Sequence, residues 1–133
     1  DLEAAIDKLV YHGSYTNTQA GLQAGRTLFL ERGRSIVPKS VIMISDGPNW
    51  SNDPDLPRLV EVASHLKIEA TVAVVGVTNN ADMTQLEQIA TNKDLAVSFS
   101  DFSDLAAMAA TILAKINEVQ TNPAPDVTPP STP

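Results

Sequence analysis

The sequence predicts an α/β fold, a parallel sheet layered between helices. Three observations carry that expectation. Val41-Ile42-Met43-Ile44 and residues 70–77 are continuous apolar runs, the pattern of strands buried on both faces rather than one. The segments between apolar runs carry helical spacing instead. The resulting order, helix-helix-strand-helix-strand-helix-strand-helix, calls for right-handed crossovers between parallel strands.

In chain order, Leu2, Ile6, Leu9 and Val10 mark one face of a first helix. Leu22, Gly25 and Phe29 mark a second, stopped near Gly33 and Pro38. The first strand follows and ends in Ser45-Asp46-Gly47. Pro57, a good first-turn residue, precedes a helix with Leu59, Val62, Ala63 and Leu66 on one face. After the second strand, Asp82 and Gln85 resemble a capping box, and Leu86, Ile89 and Ala90 continue that helix. Residues 96–99 form a third short strand. Leu105, Met108, Ile112, Ile116 and Val119 complete a long amphipathic helix.

The folded body is expected over residues 1–120. The last 13 residues contain five prolines among Thr, Ser, Asn and Asp. Proline removes backbone donors and fixes φ, so residues 121–133 read as an extended linker or tail. Asp1 opens a helical pattern, so any signal peptide is expected to be removed or not included.

Composition narrows the function. Across 133 residues, 9 Lys and Arg against 16 Asp and Glu give a net charge of −7, which argues against nucleic acid as a partner. No apolar run approaches the roughly 20 residues that span a bilayer, so membrane insertion is not expected. The absence of cysteine excludes disulfides and thiolate chemistry.

Three places carry candidate chemistry. Gly13-Ser14-Tyr15-Thr16-Asn17-Thr18 is a polar loop before the second helix; Asn17 or Thr18 there suits a helix N-cap. Ser45-Asp46-Gly47 suits a turn, but it also ends a strand, where open α/β sheets bind ligands. A carboxylate there, beside hydroxyls from a neighbouring loop, makes an oxygen set suited to a hard cation such as Mg²⁺. The third place is the loop Pro48-Asn49-Trp50-Ser51-Asn52-Asp53, which holds the sole Trp of the chain and a glycosylation sequon at Asn49. His12 and His65 are isolated, and Met43, Met83 and Met108 suit packing.

These segments together resemble the C-terminal part of a von Willebrand factor A domain, the adhesion module also found as the inserted domain of integrins. Gly13 with Thr16-Asn17-Thr18 and Leu22 resembles the family's G-x-T-x-T loop. Residues 38–47 resemble the strand that ends in T-D-G, with Ser45 in place of Thr. Ala73-Val74-Val75-Gly76-Val77, followed by Asp82, Leu86 and Ile89, resembles the V-G-V-G…E-L-x-x-I-A segment. Val97-Ser98-Phe99 with Asp101, Phe102 and Leu105 resembles the final strand and helix entry.

The resemblance implies a three-layer, Rossmann-like sheet in which this chain holds strands 4, 5 and 6 of the order 3-2-1-4-5-6. It implies a metal-ion-dependent adhesion site in which Thr16 and Asp46 hold Mg²⁺, or Mn²⁺ or Ca²⁺, on oxygen ligands, and a partner carboxylate completes the shell. Asn49 and Trp50 would border that face as partner contacts. The family's D-x-S-x-S motif, which supplies most remaining ligands, is absent from the sequence. The chain therefore reads as a fragment, or as one half of a nicked or complemented domain, whose first strand would otherwise expose a hydrophobic edge.

The implied function is a noncatalytic, cation-dependent adhesion or protein-binding module of a secreted, extracellular matrix protein. Its partners would be a protein ligand, such as the matrix protein collagen, and a complementing N-terminal half. The alternatives are a structural module without metal, or a Mg²⁺-dependent enzyme using the same crevice. Against the enzyme, the sequence has no Gly-x-x-x-x-Gly-Lys loop, no G-x-G-x-x-G turn and no Ser/His/Asp or Cys/His constellation in usable order.

Overall fold

A computed structural model describes residues 1–10, 16–34, 36–47 and 54–121. The elements run α1 (Leu2–Asp7), α2 (Thr18–Arg32), β1 (Ser40–Ser45), α3 (Leu59–Glu69), β2 (Thr71–Val77), α4 (Met83–Ile89), β3 (Ala96–Phe99) and α5 (Leu105–Thr121), with 3-10 turns at Lys93–Leu95 and Phe102–Asp104. The expected order of helices and strands holds throughout.

The sheet order is β1-β2-β3 and both pairings are parallel. β2 is central, and Val72, Val74, Val75 and Val77 are all fully buried. A β-branched run of this kind suits a strand covered on both faces. One face carries α2, α3 and α4 side by side, with Leu22, Val62, Leu66 and Leu86 in the core. The other face carries α5, whose Ile112 and Ile116 pack against the sheet. This is the three-layer arrangement that the sequence predicts. At Gly76 the layers approach so closely that a Cβ would lie 2.8 Å from Met83 Sδ and 2.9 Å from Ala81 Cβ.

Local signals explain the helix boundaries. The Asn17 side chain caps α2 by accepting from the Ala20 N–H at 3.0 Å. The Asp82 side chain caps α4 by accepting from the Gln85 N–H at 3.2 Å. Pro57 lies just ahead of α3, whose N-cap is Arg58, rather than in its first turn. At the far end, Gln120 Nε2 donates to Ser40 Oγ at 2.8 Å and to the Lys39 carbonyl at 3.4 Å, tying the end of α5 to the start of β1.

Two expectations are overturned. The apolar face of the first helix buries nothing: Leu2, Ile6, Leu9 and Val10 are 54–77% exposed, and α1 is only six residues long. Periodicity gives a helix a sticky side, but no described element lies against it. β1 is not buried on both faces either, because Ile42 and Ile44 are 45% and 55% exposed. Among the described residues no strand lies beyond β1, so its outer flank is open.

Candidate functional site

The site is built at the carboxyl end of β1. A groove of about 310 Å³ runs between the N-terminal turn of α2 and β1, lined by Thr16, Asn17, Thr18, Gly21, Leu22 and residues 41–45. Thr16 from the polar loop and Ser45 from the strand end therefore share one groove, and Asp46 follows Ser45 directly. Thr16 and Asp46 are both exposed.

Several bonds hold these groups in place. The Asn17 cap fixes the loop that carries Thr16 to the helix. The buried Gln19 donates through Nε2 to the Pro57 carbonyl at 2.8 Å, which ties the start of α2 to the segment before α3. Ser45, also buried, donates through Oγ to the Gly47 carbonyl at 2.9 Å and closes the turn around Asp46. The Asp46 carbonyl accepts from Thr78 Oγ1 at 3.1 Å, while the Thr78 N–H donates to the Phe99 carbonyl at 2.8 Å. Thr78 thus joins the ends of all three strands.

Thr78 is a site residue that sequence reasoning missed. Its φ is 74°, a left-handed conformation that a β-branched residue rarely adopts. The available signal was its position after Val75-Gly76-Val77, where the V-G-V-G pattern carries a second glycine.

Beside the groove, the outer edge of β1 is paired with no other strand among the described residues. The Thr71 N–H donates to the Lys39 carbonyl, and Ser40 pairs in register with Thr71. Alternate residues of a parallel strand serve one neighbour, so Val41 and Met43 serve β2. The N–H and C=O groups of Ile42 and Ile44 therefore face outward. On the α5 side of the same edge lies an almost wholly apolar groove of about 300 Å³, lined by Ile42, Ile44, Val75, Ala109, Ile112 and Leu113.

The donor set fits a hard cation in kind but not in number. One hydroxyl and one carboxylate are oxygen donors of the type that Mg²⁺ or Ca²⁺ takes, yet six or more donors are required. Among the described residues no group of three or more His, Cys, Asp or Glu stands close enough to hold a metal ion. Asn49 and Trp50, expected to border this face, lie outside the described residues. No described helix is long and apolar enough to cross a membrane.

Comparison with known proteins gives the family. The family model for the von Willebrand factor type A domain matches residues 1–111. The chain belongs to that family. Cuticlin-6 of Caenorhabditis elegans is 29% identical over 104 residues, covering 78% of this chain and 17% of the relative. Proximal thread matrix protein 1 from the mussel byssus superposes with a TM-score of 0.75 at 27% identity, covering 84% of this chain and 29% of that one. A second structure of the mussel protein, with a zinc-occupied MIDAS motif, matches with a TM-score of 0.71 at 25% identity, over 84% and 27% of the two chains. BatB from Bacteroides thetaiotaomicron, at 15% identity and a TM-score of 0.62 over 88% of this chain and 69% of that one, shares the fold. The chain thus spans less than a third of the cuticlin and of the mussel protein.

Proposed function

We propose that this chain is the carboxyl-terminal part of a noncatalytic, divalent-cation-dependent protein-binding module of an extracellular matrix protein. The observation that carries the reading is the groove shared by Thr16 and Ser45, the residue directly before Asp46, beside a strand that no described strand pairs on its outer edge. A matrix role is supported by the names of the cuticlin and of the mussel thread matrix protein, and a cation by the metal-occupied site of the mussel protein.

In this reading a complementing segment adds a strand beside β1 and brings the ligands that Thr16 and Asp46 lack. Thr16 offers a hydroxyl oxygen and Asp46 a carboxylate, while Asn17, Ser45 and Thr78 hold their main chains still. The bound cation supplies an electrophilic position that an acidic side chain of the protein ligand occupies. Few carboxylates in the shell leave more of the ion's charge for that incoming group. Asn49 and Trp50 are proposed partner contacts at the rim, collagen is a suitable matrix ligand, and residues 121–133 act as a spacer to further modules.

Calorimetry with Mg²⁺ or Mn²⁺ on the intact protein tests this. Heat that disappears in Thr16→Ala and Asp46→Asn supports a cation site on these residues. Partner binding that persists in chelator, without heat, replaces it with a structural module. Cation-dependent nucleotide turnover would make the crevice an enzyme's.

A further inference from the structure

At the opposite end of α2 and β1 from the crevice lies a pocket of about 410 Å³, lined by Leu28, Phe29, Arg32, Gly33, Arg34, Val37, Pro38, Lys39 and Ser40. Three of the chain's nine Lys and Arg residues stand here within eight positions, on a protein of net charge −7. No acidic side chain lines the pocket. Among the described residues, none of the three cations has a carboxylate within ion-pair distance; the ion pair formed there is Arg26 with Glu69, at 3.7 Å. The negative end of the α2 dipole accounts for Arg32 in the last turn. It does not account for Lys39, which arrives from the next element, or for the apolar floor.

That floor separates the classes of anion. Leu28 is 54% exposed, and the neighbouring Ile36 is 93% exposed. A sulfated polysaccharide would match the cations and leave this apolar surface in water, whereas a peptide with acidic and apolar side chains matches both. We infer that this pocket is a docking site for a short acidic peptide segment of another protein. Its carboxylates lie against Arg34 and Lys39, and an apolar side chain covers Leu28, Phe29 and Pro38. The surface is remote from Thr16 and Asp46 and needs no cation, so it stands or falls separately from the proposed adhesion site.

The test is fluorescence anisotropy of the full chain, in EDTA, with a dye-labelled peptide Glu-Glu-Leu-Glu-Glu and its Gln-Gln-Leu-Gln-Gln counterpart. The acidic peptide is expected to bind at least about tenfold more tightly, and to weaken as salt shortens the screening length. Arg34→Gln, at an exposed position, and Lys39→Gln should each weaken binding about threefold, and the pair about tenfold. Leu28→Ser should weaken binding of the acidic peptide as well. Lys93→Gln, an exposed cation far from the pocket, should leave it unchanged. Circular dichroism of each variant should match the parent chain.

Equal binding of the two peptides overturns the inference, as does unchanged affinity in Arg34→Gln. A sulfated oligosaccharide that binds more tightly than the acidic peptide overturns it in favour of a polysaccharide. Binding that emerges only after residues 122–133 are removed overturns it in favour of the chain's own tail, whose single acidic residue is Asp126.

Discussion

Replacing Thr78 with glycine and with valine separates two opposing energies at the strand junction. Both variants lose the hydroxyl, which donates to the Asp46 carbonyl at 3.1 Å and accepts from the Asn80 N–H at 3.3 Å. These bonds are exposed, so their joint net contribution is about 1 kcal/mol. Both variants keep the Thr78 N–H bond to Phe99, since that is main chain. They differ in backbone strain. At φ 74° a β-branched side chain costs about 1–3 kcal/mol, and glycine removes that cost. Glycine's greater freedom in the unfolded chain returns about 0.5–1 kcal/mol of the gain. Thr78→Val is therefore expected to destabilise by about 1 kcal/mol, and Thr78→Gly to lie near the parent, about 1 kcal/mol above valine. Urea unfolding followed by far-UV circular dichroism measures this as midpoints about 0.5 M apart, for a slope of about 2 kcal/mol per M. A valine variant as stable as the glycine variant would refute the strain argument and leave the hydroxyl without a compensating role.

Other perturbations have clear expected outcomes. Leu66→Ala removes a side chain that is 0% exposed in the core and should cost about 2–5 kcal/mol, read from the same urea midpoint. Ile44→Lys puts a charge on a half-exposed edge position, so light scattering should show less self-association at an unchanged midpoint; undiminished association would clear the β1 edge of responsibility. The Ser103 hydroxyl, and then its N–H at 2.6 Å, donate to the fully exposed Asp101 carboxylate and hold its pKa below the usual carboxylate value. A depressed folded pKa gives stability that is present above the unfolded pKa and lost as pH falls through the folded one. The small difference between the parent and Asp101→Asn should therefore be present at neutral pH and vanish in strong acid.

The sheet was legible because its strands are unusual sequences. The run through Val77 falls where the structure has β2, since a valine-rich apolar run suits a strand covered on both faces, and the short segment 96–99 falls where it has β3. Asn17 and Asp82 were readable as caps because a short polar side chain satisfies orphan N–H groups by local geometry alone. The environment of Leu2, Ile6, Ile42 and Ile44 was not readable. An apolar side chain declares that burial is favourable, but not that a covering element is present. Thr16 and Ser45 line one groove because the start of α2 and the end of β1 lie at the same rim of the sheet, and Asp46 follows Ser45 directly. Thr78 escaped notice because threonine carries no mark of positive φ; only the displaced glycine of the family pattern hints at it. The basic pocket escaped for another reason: Arg32, Arg34 and Lys39 are scattered along a turn, and only the fold sets them around a common floor.

The clasp between Gln120 and the start of β1 has a mechanical consequence. The two ends it joins are 80 residues apart in sequence, and the chain leaves α5 one residue after it. Tension applied to the chain beyond Thr121 reaches the domain first at this point and is passed to Lys39 and Ser40, which are anchored to β2 through the Thr71 N–H. Load thus enters at the foot of β1 and travels along the strand toward Asp46, rather than peeling β3 from the opposite side. In a tethered matrix protein, such a path would let pulling on one end of the fold be felt at the other.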